Sequence, residues 1–265
     1  MLSLVSANVN GVRAARRRGG IEWLAAAGAD VLCLQEVRAS REQLTGLLAE
    51  AGLGGYALAH DPSARAGHAG VAVLSRRPVR AIRPPAEVGF AAFAGQGRWV
   101  EAEVDTAAGP VTVVSAYVPT GEADTPRQVE KFEFLDAMTA RLAALQSKPA
   151  LVAGDLNVAH RPADIKNWKG NLGRAGFLDA ERDYLDRWFS SGWADLGRIH
   201  SGDGPGPYTW WSWRGRAFDN DAGWRIDYVL ASPAMAARCV KFEVGRAASY
   251  AERWSDHAPI TAWFQ

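Results

Sequence analysis

One segment constrains the fold of this chain most, the run PALVAGDLNVAH from Pro149 to His160. Its apolar residues lie between Pro149 and Gly154, a pattern that predicts a short buried strand. Asp155 and Asn157 follow two residues apart, at the kind of strand end that often carries functional side chains. Both residue types are also common in turns. The segment alone therefore predicts either a functional strand end or a turn.

Short apolar runs recur along the rest of the chain. Strands are predicted over 2–9, 30–36, 56–60, 70–74, 98–105, 111–118, 224–230 and 260–264. The clearest helix is predicted over 126–145, where apolar residues recur at spacings of three and four: Val129, Phe132, Leu135, Met138 and Leu142. Other helices are predicted over 21–27, 41–51 and 179–190. Many strands with few long helices indicate two packed sheets with helices outside, in a single domain spanning 1–265.

Composition excludes some classes of protein. Hydrophobic residues make up 48% of the 265 residues and the net charge is +1, so any nucleic-acid contact must be local. No apolar run reaches about 18 residues and no secretory signal begins the chain, so we expect a cytoplasmic protein without membrane contact. Cys33 and Cys239 have no CxxC partner, which favours a reduced protein without structural zinc.

Polar residues at the ends of predicted strands suggest the chemistry of a site. They are Asn8, Asn10, Glu36, Tyr117, Asp155, Asn157, Asp227, Asp256 and His257. The chain has no Gly-x-Ser-x-Gly nucleophile motif and no zinc-ligand spacing. Carboxylates and amides suit Mg²⁺ or Mn²⁺, which neutralise a phosphodiester. An imidazole can hydrogen-bond a phosphoryl oxygen and an aspartate can orient water, so the set favours phosphoester hydrolysis.

Six motifs in order give the chain a family resemblance. They are Asn8-Val9-Asn10-Gly11, Leu34-Gln35-Glu36, Tyr117-Val118-Pro119, Gly154 to His160, Arg225-Ile226-Asp227-Tyr228 and Ser255 to Pro259. On these residues the chain resembles the exonuclease III family of abasic-site endonucleases, within the endonuclease/exonuclease/phosphatase superfamily. The resemblance covers nearly the whole chain. It implies an α/β four-layer sandwich of the deoxyribonuclease I type, with two mainly antiparallel β-sheets flanked by helices.

The resemblance also implies roles at a metal site. Glu36 is the main ligand, with Asn10, Asp256 and Asn8 near the ion. The implied cofactor is Mg²⁺, with Mn²⁺ as a substitute and one or two ions bound. Asn10 departs from relatives that carry Asp at this position.

The same resemblance implies catalytic roles. Asp155 positions and deprotonates the attacking water, Asn8 and Asn157 stabilise the phosphate, and His257, oriented by Asp227, contacts the scissile phosphate. The phenol of Tyr117 is a second candidate for proton transfer.

Other segments resemble the substrate-binding parts of that family. Trp210, Trp224 and Ile226 align with a pocket for a base-free sugar, whereas Trp188, Trp193 and Trp211 are expected in the core. The expected DNA contacts are Asn167, Lys169, Asn171, Arg127, Lys131, Arg214 and Arg13. Arg214 lies near the position where relatives place a duplex wedge. Arg13 opens an arginine run that fits either a solvated helix start or phosphate contact.

Three functions are consistent with these motifs to different degrees. The first is Mg²⁺-dependent incision of duplex DNA 5′ to abasic sites, with 3′-phosphodiesterase, 3′-phosphatase and 3′→5′ exonuclease activity. Its partner is duplex DNA with abasic sites or blocked 3′ ends, acted on by a monomer. A phosphatase or phospholipase would need a membrane-facing apolar hairpin or a phosphoinositide-binding loop, and neither is found. A non-catalytic DNA-binding module would lack Glu36, Asp155 or His257, yet all three are present.

Overall fold

The computed structural model describes residues 1–265 and contains two six-stranded sheets. The first has the order β11 (Cys239–Val244), β12 (Ile260–Phe264), β1 (Leu2–Asn8), β2 (Val31–Gln35), β4 (Val71–Ser75), β3 (Ala57–Asp61). The second has the order β5 (Val79–Arg83), β6 (Trp99–Thr106), β7 (Gly109–Tyr117), β8 (Ala150–Asp155), β10 (Asp227–Ala231), β9 (Ala194–Asp195). Only the β1–β2 and β7–β8 pairs are parallel, which confirms the expected mainly antiparallel sheets.

Helices cover the outer faces of both sheets. They are α1 (Val12–Arg17), α2 (Gly20–Ala26), α3 (Arg41–Glu50), α4 (Pro126–Leu145) and α5 (Asp179–Ser190). Two further short helices, α6 (Leu196–Ser201) and α7 (Pro233–Ala236), contribute Leu196 and Met235 to the apolar cluster between the sheets. One apolar cluster joins the inner faces of the two sheets, with Leu4 and Val113 among its members. A second packs β7 and β8 against α4 and α5, and a third packs β1 and β2 against α1, α2 and α3. These clusters produce the four layers that the resemblance implies. No helix combines the length and the apolar character that crossing a membrane requires.

Most predicted elements are present, and those that were missed have weak patterns. The bounds of α4 and α5 agree with the sequence prediction. The strands β5 and β11 lie at sheet edges with partly exposed residues on both faces, so they lack a clear alternation. The prediction for Val129 was wrong, because its side chain is 57% exposed while Gln128 is buried on that turn of α4.

The parallel pair β7–β8 brings two site residues to one edge of the second sheet. Tyr117 pairs with Asp155, and one position earlier in the same ladder Ala116 pairs with Gly154. A Cβ atom at Gly154 would lie 1.9 Å from the carbonyl oxygen of Ala116. Glycine is therefore required there, because any side chain would push apart the strands that hold Tyr117 and Asp155 together.

Candidate active site

The predicted polar strand ends converge at one edge of the sandwich. Asn8 ends β1, Glu36 follows β2, and Asp155 ends β8. Because β10 runs antiparallel to β8, its first residue Asp227 lies opposite Asp155. The structure therefore brings these four polar residues from different strand ends to one edge of the sandwich.

A single amide orients two of the carboxylates. Nδ2 of Asn8 donates to Oε1 of Glu36 at 2.9 Å and to Oδ2 of Asp155 at 3.0 Å. Asn8 is fully buried, so its amide is fixed in place. The two carboxylates are held close together although their charges repel, an arrangement typical of a cation or phosphate site.

Three site residues adopt a left-handed backbone conformation. Asn10, Glu36 and Asn157 have φ values of 46°, 50° and 51°. Asn tolerates this region, but for Glu it costs free energy that surrounding contacts must offset. The backbone N–H of Gly11 donates to the carbonyl of Glu36 at 2.8 Å, and the backbone N–H of Asn157 donates to Oδ1 of Asp155 at 2.9 Å. These bonds aim the Glu36 and Asn157 side chains into the site.

His257 is a buried imidazole between two carboxylates. Nδ1 lies 2.9 Å from Oδ2 of Asp227, and Nε2 lies 3.7 Å from Oδ2 of Asp155. Burial alone would lower the pKa of His257, but the charges of Asp227 and Asp155 outweigh it and raise the pKa to about 10. The imidazole is therefore protonated at neutral pH and can donate a hydrogen bond from Nε2 toward a phosphoryl oxygen.

Burial also shifts the pKa values of the two candidate bases, Asp155 and Tyr117. It raises the pKa of Asp155 to about 7 against the opposing effect of His257, with the charges of Asp227 and Glu36 adding to the increase. Burial, followed by the charges of Glu36 and Asp155, raises the pKa of the Tyr117 phenol as well. Asp155 is thus the better proton acceptor near neutral pH, while Tyr117 remains a neutral phenol beside Glu36.

Oxygen atoms dominate the groups that could hold a metal ion. One ligand atom each from Glu36, Asp155 and His257 lies within 4.8 Å of the others. Asp256 lies outside this set of three residues but lines the same cavity, so its carboxylate and that of Glu36 are candidate ligands for a cation bound there. Nδ2 of Asn10 donates to Oδ1 of Asp256 at 2.7 Å, which places this amide beside the same group. The donor set fits a hard divalent cation and does not fit zinc.

These groups open into one cavity of about 270 Å³. Polar lining comes from Glu36, Tyr117, Thr120, Asp155, Asn157, Asp256 and His257, and the remaining lining from Ala175, Gly176, Trp210, Trp224 and Ile226. The rings of Trp210 and Trp224 meet edge to face, with centroids 6.2 Å apart. Trp210, Trp224 and Ile226 form the apolar wall of the cavity. Nε1 of Trp210 donates to Oδ2 of Asp256 at 3.2 Å, which links this wall to the carboxylates of the site.

The tryptophans divide as the sequence predicts. Trp188, Trp193 and Trp211 are no more than 2% exposed and belong to core clusters. Trp210 and Trp224 are only partly buried and line the cavity.

The predicted DNA contacts lie in different settings. Asn167 and Lys169 are exposed around the short 3₁₀ helix Trp168–Asn171, and Nδ2 of Asn171 donates to the carbonyl of Asn167. Arg13, Arg127 and Arg214 are also exposed. Arg127 pairs with Glu122 at 3.1 Å.

The prediction that Lys131 contacts DNA was wrong. Its side chain is fully buried, and Nζ lies 2.7 Å from Oε1 of Glu181. Nζ also donates to the carbonyls of Asn157 at 2.8 Å and Thr120 at 3.1 Å. A fully buried ammonium group with these partners is not available to a DNA backbone. Lys131 instead holds two of the segments that line the cavity.

Several residues near the site were missed because no local pattern marks them. Thr120 and Gly176 line the cavity, and the guanidinium of Arg38 pairs with Oε2 of Glu36. A groove of about 430 Å³ adjoins Arg38, and its basic residues are Arg13, Arg38, Arg41, Arg65 and His68. No acidic residue lines this groove. Only the run beginning at Arg13 could have indicated it from the sequence.

Comparison with known proteins agrees with this geometry. Residues 5–257 match the model of the Endonuclease/Exonuclease/phosphatase family. An exodeoxyribonuclease of Bacillus subtilis is 33% identical over 263 residues, covering 98% of both chains. The structure of a Neisseria 3′ phosphatase, NExo, bound to a product DNA hairpin superposes with a TM-score of 0.86 and 27% identity over 100% of both chains.

An AP endonuclease structure from Archaeoglobus fulgidus has a TM-score of 0.85 and 26% identity, covering 100% of this chain and 99% of that one. The family match and the full-length similarity to an exodeoxyribonuclease coincide with the carboxylate, amide and imidazole cluster described above. The chain therefore belongs to the endonuclease/exonuclease/phosphatase family, in the branch of the exodeoxyribonucleases and AP endonucleases.

Proposed function

We propose that this protein is a DNA repair nuclease that hydrolyses the phosphodiester 5′ to an abasic site in duplex DNA. It also removes 3′-blocking phosphates and phosphodiesters and shortens 3′ ends. The observation that carries this proposal is that Asp155, His257 and Trp210 line the same cavity.

The apolar wall supports a base-free sugar as the ligand. Trp210, Trp224 and Ile226 offer ring faces and aliphatic carbon, which suit a deoxyribose turned out of the duplex. A cavity of about 270 Å³ that also holds the phosphate leaves little room for an attached base. Exclusion of intact nucleotides would then follow from size.

The polar groups support hydrolysis at phosphorus. Asp155 accepts a proton from the water that attacks phosphorus, and the bond from phosphorus to the 3′-oxygen breaks. The leaving 3′-oxygen takes up a proton from solvent water, so the products are a 3′-hydroxyl and a 5′-phosphate. The imidazolium of His257 and the side-chain amide of Asn157 donate to the phosphoryl oxygens as negative charge develops. Glu36, Asp256 and Asn10 would hold Mg²⁺ or Mn²⁺, which when bound neutralises charge on the phosphate.

Local positive charge supports duplex DNA as the substrate. The net charge is only +1, yet the groove lined by Arg13, Arg38 and Arg41 contains no acid. Lys169 and Asn167 are exposed in the loop that follows β8. Side chains of these types bind backbone phosphates without reading sequence.

The test uses an end-labelled duplex with one tetrahydrofuran abasic analogue, incubated with Mg²⁺, with EDTA, and with the Asp155→Asn variant. We expect a Mg²⁺-dependent cut immediately 5′ to the analogue that disappears with EDTA and falls by about 10²–10⁴-fold in the variant. A duplex cut equally at unmodified positions, or uncut with either Mg²⁺ or Mn²⁺, would contradict the proposal.

A second candidate is a nuclease that acts only at 3′ ends. The similarity to a Neisseria 3′ phosphatase over the full chain favours it. The same labelled duplex distinguishes the two functions. Stepwise shortening from the 3′ end, without the internal cut, would retain the hydrolytic roles of Asp155 and His257 but remove the sugar pocket from the proposal.

A further inference from the structure

Four charged side chains form a buried network beside the apolar wall of the cavity. Asp164, Arg225, Asp195 and Arg198 are between 0% and 9% exposed, and none of them lines the cavity. Nε of Arg225 donates to Oδ1 of Asp164 at 2.7 Å, and its Nη2 donates to Oδ2 of Asp195 at 2.7 Å. The guanidinium of Arg198 pairs with the same Asp164 carboxylate. Two positive and two negative charges therefore balance within the network.

The network joins the segments that carry the wall. Arg225 lies between Trp224 and Ile226 in the chain, and its amide donates to the carbonyl of Asp164 at 2.7 Å. Asp164 precedes Ile165, which belongs to the apolar cluster that packs against Trp210 and Trp224.

Arg198 extends the network to a third segment. Its Nη1 donates to the carbonyls of Gly202, Gly204 and Gly206, at 2.7, 2.8 and 3.1 Å. This glycine loop leads directly into the segment that ends at Trp210. All three wall segments are thus connected through one carboxylate, that of Asp164.

Regular secondary structure does little to fix this wall. Between α6 and β10 there is no helix or strand, and Trp210 and Trp224 are joined through an isolated bridge with N–H to carbonyl bonds of 2.9 Å in both directions. A buried ion network gains little stability over apolar packing, because the cost of desolvating its charges offsets their attraction. Its directional bonds do, however, specify one geometry.

We propose that Asp164 is the positioning residue of the sugar pocket: by bonding both Arg198 and Arg225 it holds the segment that carries Trp224 and Ile226 against the glycine loop that leads to Trp210. The proposal rests on the proposed function, because it assigns the pocket to a base-free sugar. It predicts that Asp164 determines how well the enzyme acts at abasic sites, while the hydrolytic step itself does not need it.

The experiment compares two reactions of one variant, Asp164→Asn. The first is incision at a tetrahydrofuran analogue, whose sugar must occupy the pocket. The second is removal of a 3′-terminal phosphate, which carries no sugar beyond the phosphorus and leaves the pocket empty. We expect kcat/KM for incision to fall by about 10-fold to 100-fold, as for a small misplacement of a substrate-orienting group, with 3′-phosphate removal close to that of wild type.

Glu101→Gln is the matched control. Glu101 is also a fully buried carboxylate in an ion pair, with Arg141 at 2.6 Å, but it lies on β6 and does not line the cavity. We expect it to lower the Tm as Asp164→Asn does and to leave the ratio of the two activities unchanged. A ratio that shifts equally in both variants would overturn the proposal, since loss of stability alone would then explain it.

Arg225→Lys replaces Asp164→Asn in the same comparison if the Asp164→Asn protein does not fold. Lysine keeps the charge but lacks the planar guanidinium, whose separate nitrogens Nε and Nη2 bond Asp164 and Asp195, so the ratio should again fall. An unchanged ratio in a folded Asp164→Asn or Arg225→Lys protein would overturn the positioning role. Absence of incision by the wild-type protein, with 3′-phosphate removal intact, would instead overturn the proposed abasic-site function.

Discussion

Nδ1 of His257 lies 2.9 Å from Oδ2 of Asp227, in a part of the site where both side chains are buried. The pair determines the protonation and orientation of the imidazole that faces Asp155. The orienting role of Asp227 and the catalytic role that we propose for His257 are therefore linked through one hydrogen bond, and the link can be tested directly.

Asp227→Asn should lower the rate of incision at a tetrahydrofuran analogue by about 10²–10⁴-fold, because the imidazole loses the charge that keeps it protonated. Single-turnover kinetics with saturating enzyme would measure the chemical step. Asp186→Asn is the control, because Asp186 bonds a different imidazole, that of His160, at 2.7 Å outside the cavity. Equal rates for the two variants would refute the assigned role of Asp227.

Lys131 and Lys169 should behave in opposite ways. Lys169→Met should reduce the slope of log affinity for duplex DNA against log salt by about 1, as expected for loss of one phosphate contact. Lys131→Met should leave that slope unchanged and lower the free energy of unfolding by about 3–5 kcal/mol, because Glu181 is left buried without its partner. Binding titrations at several salt concentrations, together with urea unfolding, measure both quantities. A smaller salt slope for Lys131→Met would mean that Lys131 reaches DNA after all.

Gly154→Ala should prevent stable folding or cost more than about 4 kcal/mol, because the added methyl group would meet the Ala116 carbonyl at 1.9 Å. Gly46→Ala is the matched control. Gly46 is exposed within α3, and no atom lies within 4 Å of its added Cβ. That substitution should stabilise the protein by about 0.5–1 kcal/mol. Thermal and urea unfolding of both variants would measure the difference, and wild-type stability for Gly154→Ala would show that β7 and β8 can separate without loss.

Asp61 should make stability depend on pH. Burial raises its pKa to about 6 from 3.8, although backbone N–H groups of Arg98, Trp99 and Gly97 oppose the shift. An acid with a raised pKa in the folded state is more easily protonated there than in the unfolded chain. Its contribution to stability is therefore fully present below pH 3.8 and is lost as the pH rises through about 6.

Asp61→Asn should remove this dependence. The stability of the variant relative to wild type should increase by about 1–2 kcal/mol between pH 4 and pH 7 and then level off, after allowance for partial solvent screening. Urea midpoints at matched pH values measure the difference. If the two proteins follow parallel curves over this range, Asp61 does not titrate near pH 6.

Secondary structure was largely predictable where a pattern repeats along the chain. The spacing of Leu135, Met138 and Leu142 identified α4 with its bounds, since a helix repeats its buried face every three or four residues. The same spacing placed Val129 on that face incorrectly. The face at the start of α4 is set by Lys131, whose ion pair with Glu181 comes from α5, and no periodicity within α4 can show that partner.

The sequence by itself determined the fold class, the strand ends and the kinds of side chain that meet at the site, because these follow from local apolar patterns and from motifs such as Asp155-x-Asn157. Only the tertiary structure decided which charges are exposed and which are buried. Lys131 and Lys169 are the same residue type, yet one lies in the core and the other on the surface. The network of Asp164, Asp195 and Arg225 depends on contacts between residues 30 or more positions apart, and such contacts exist only once the chain has packed.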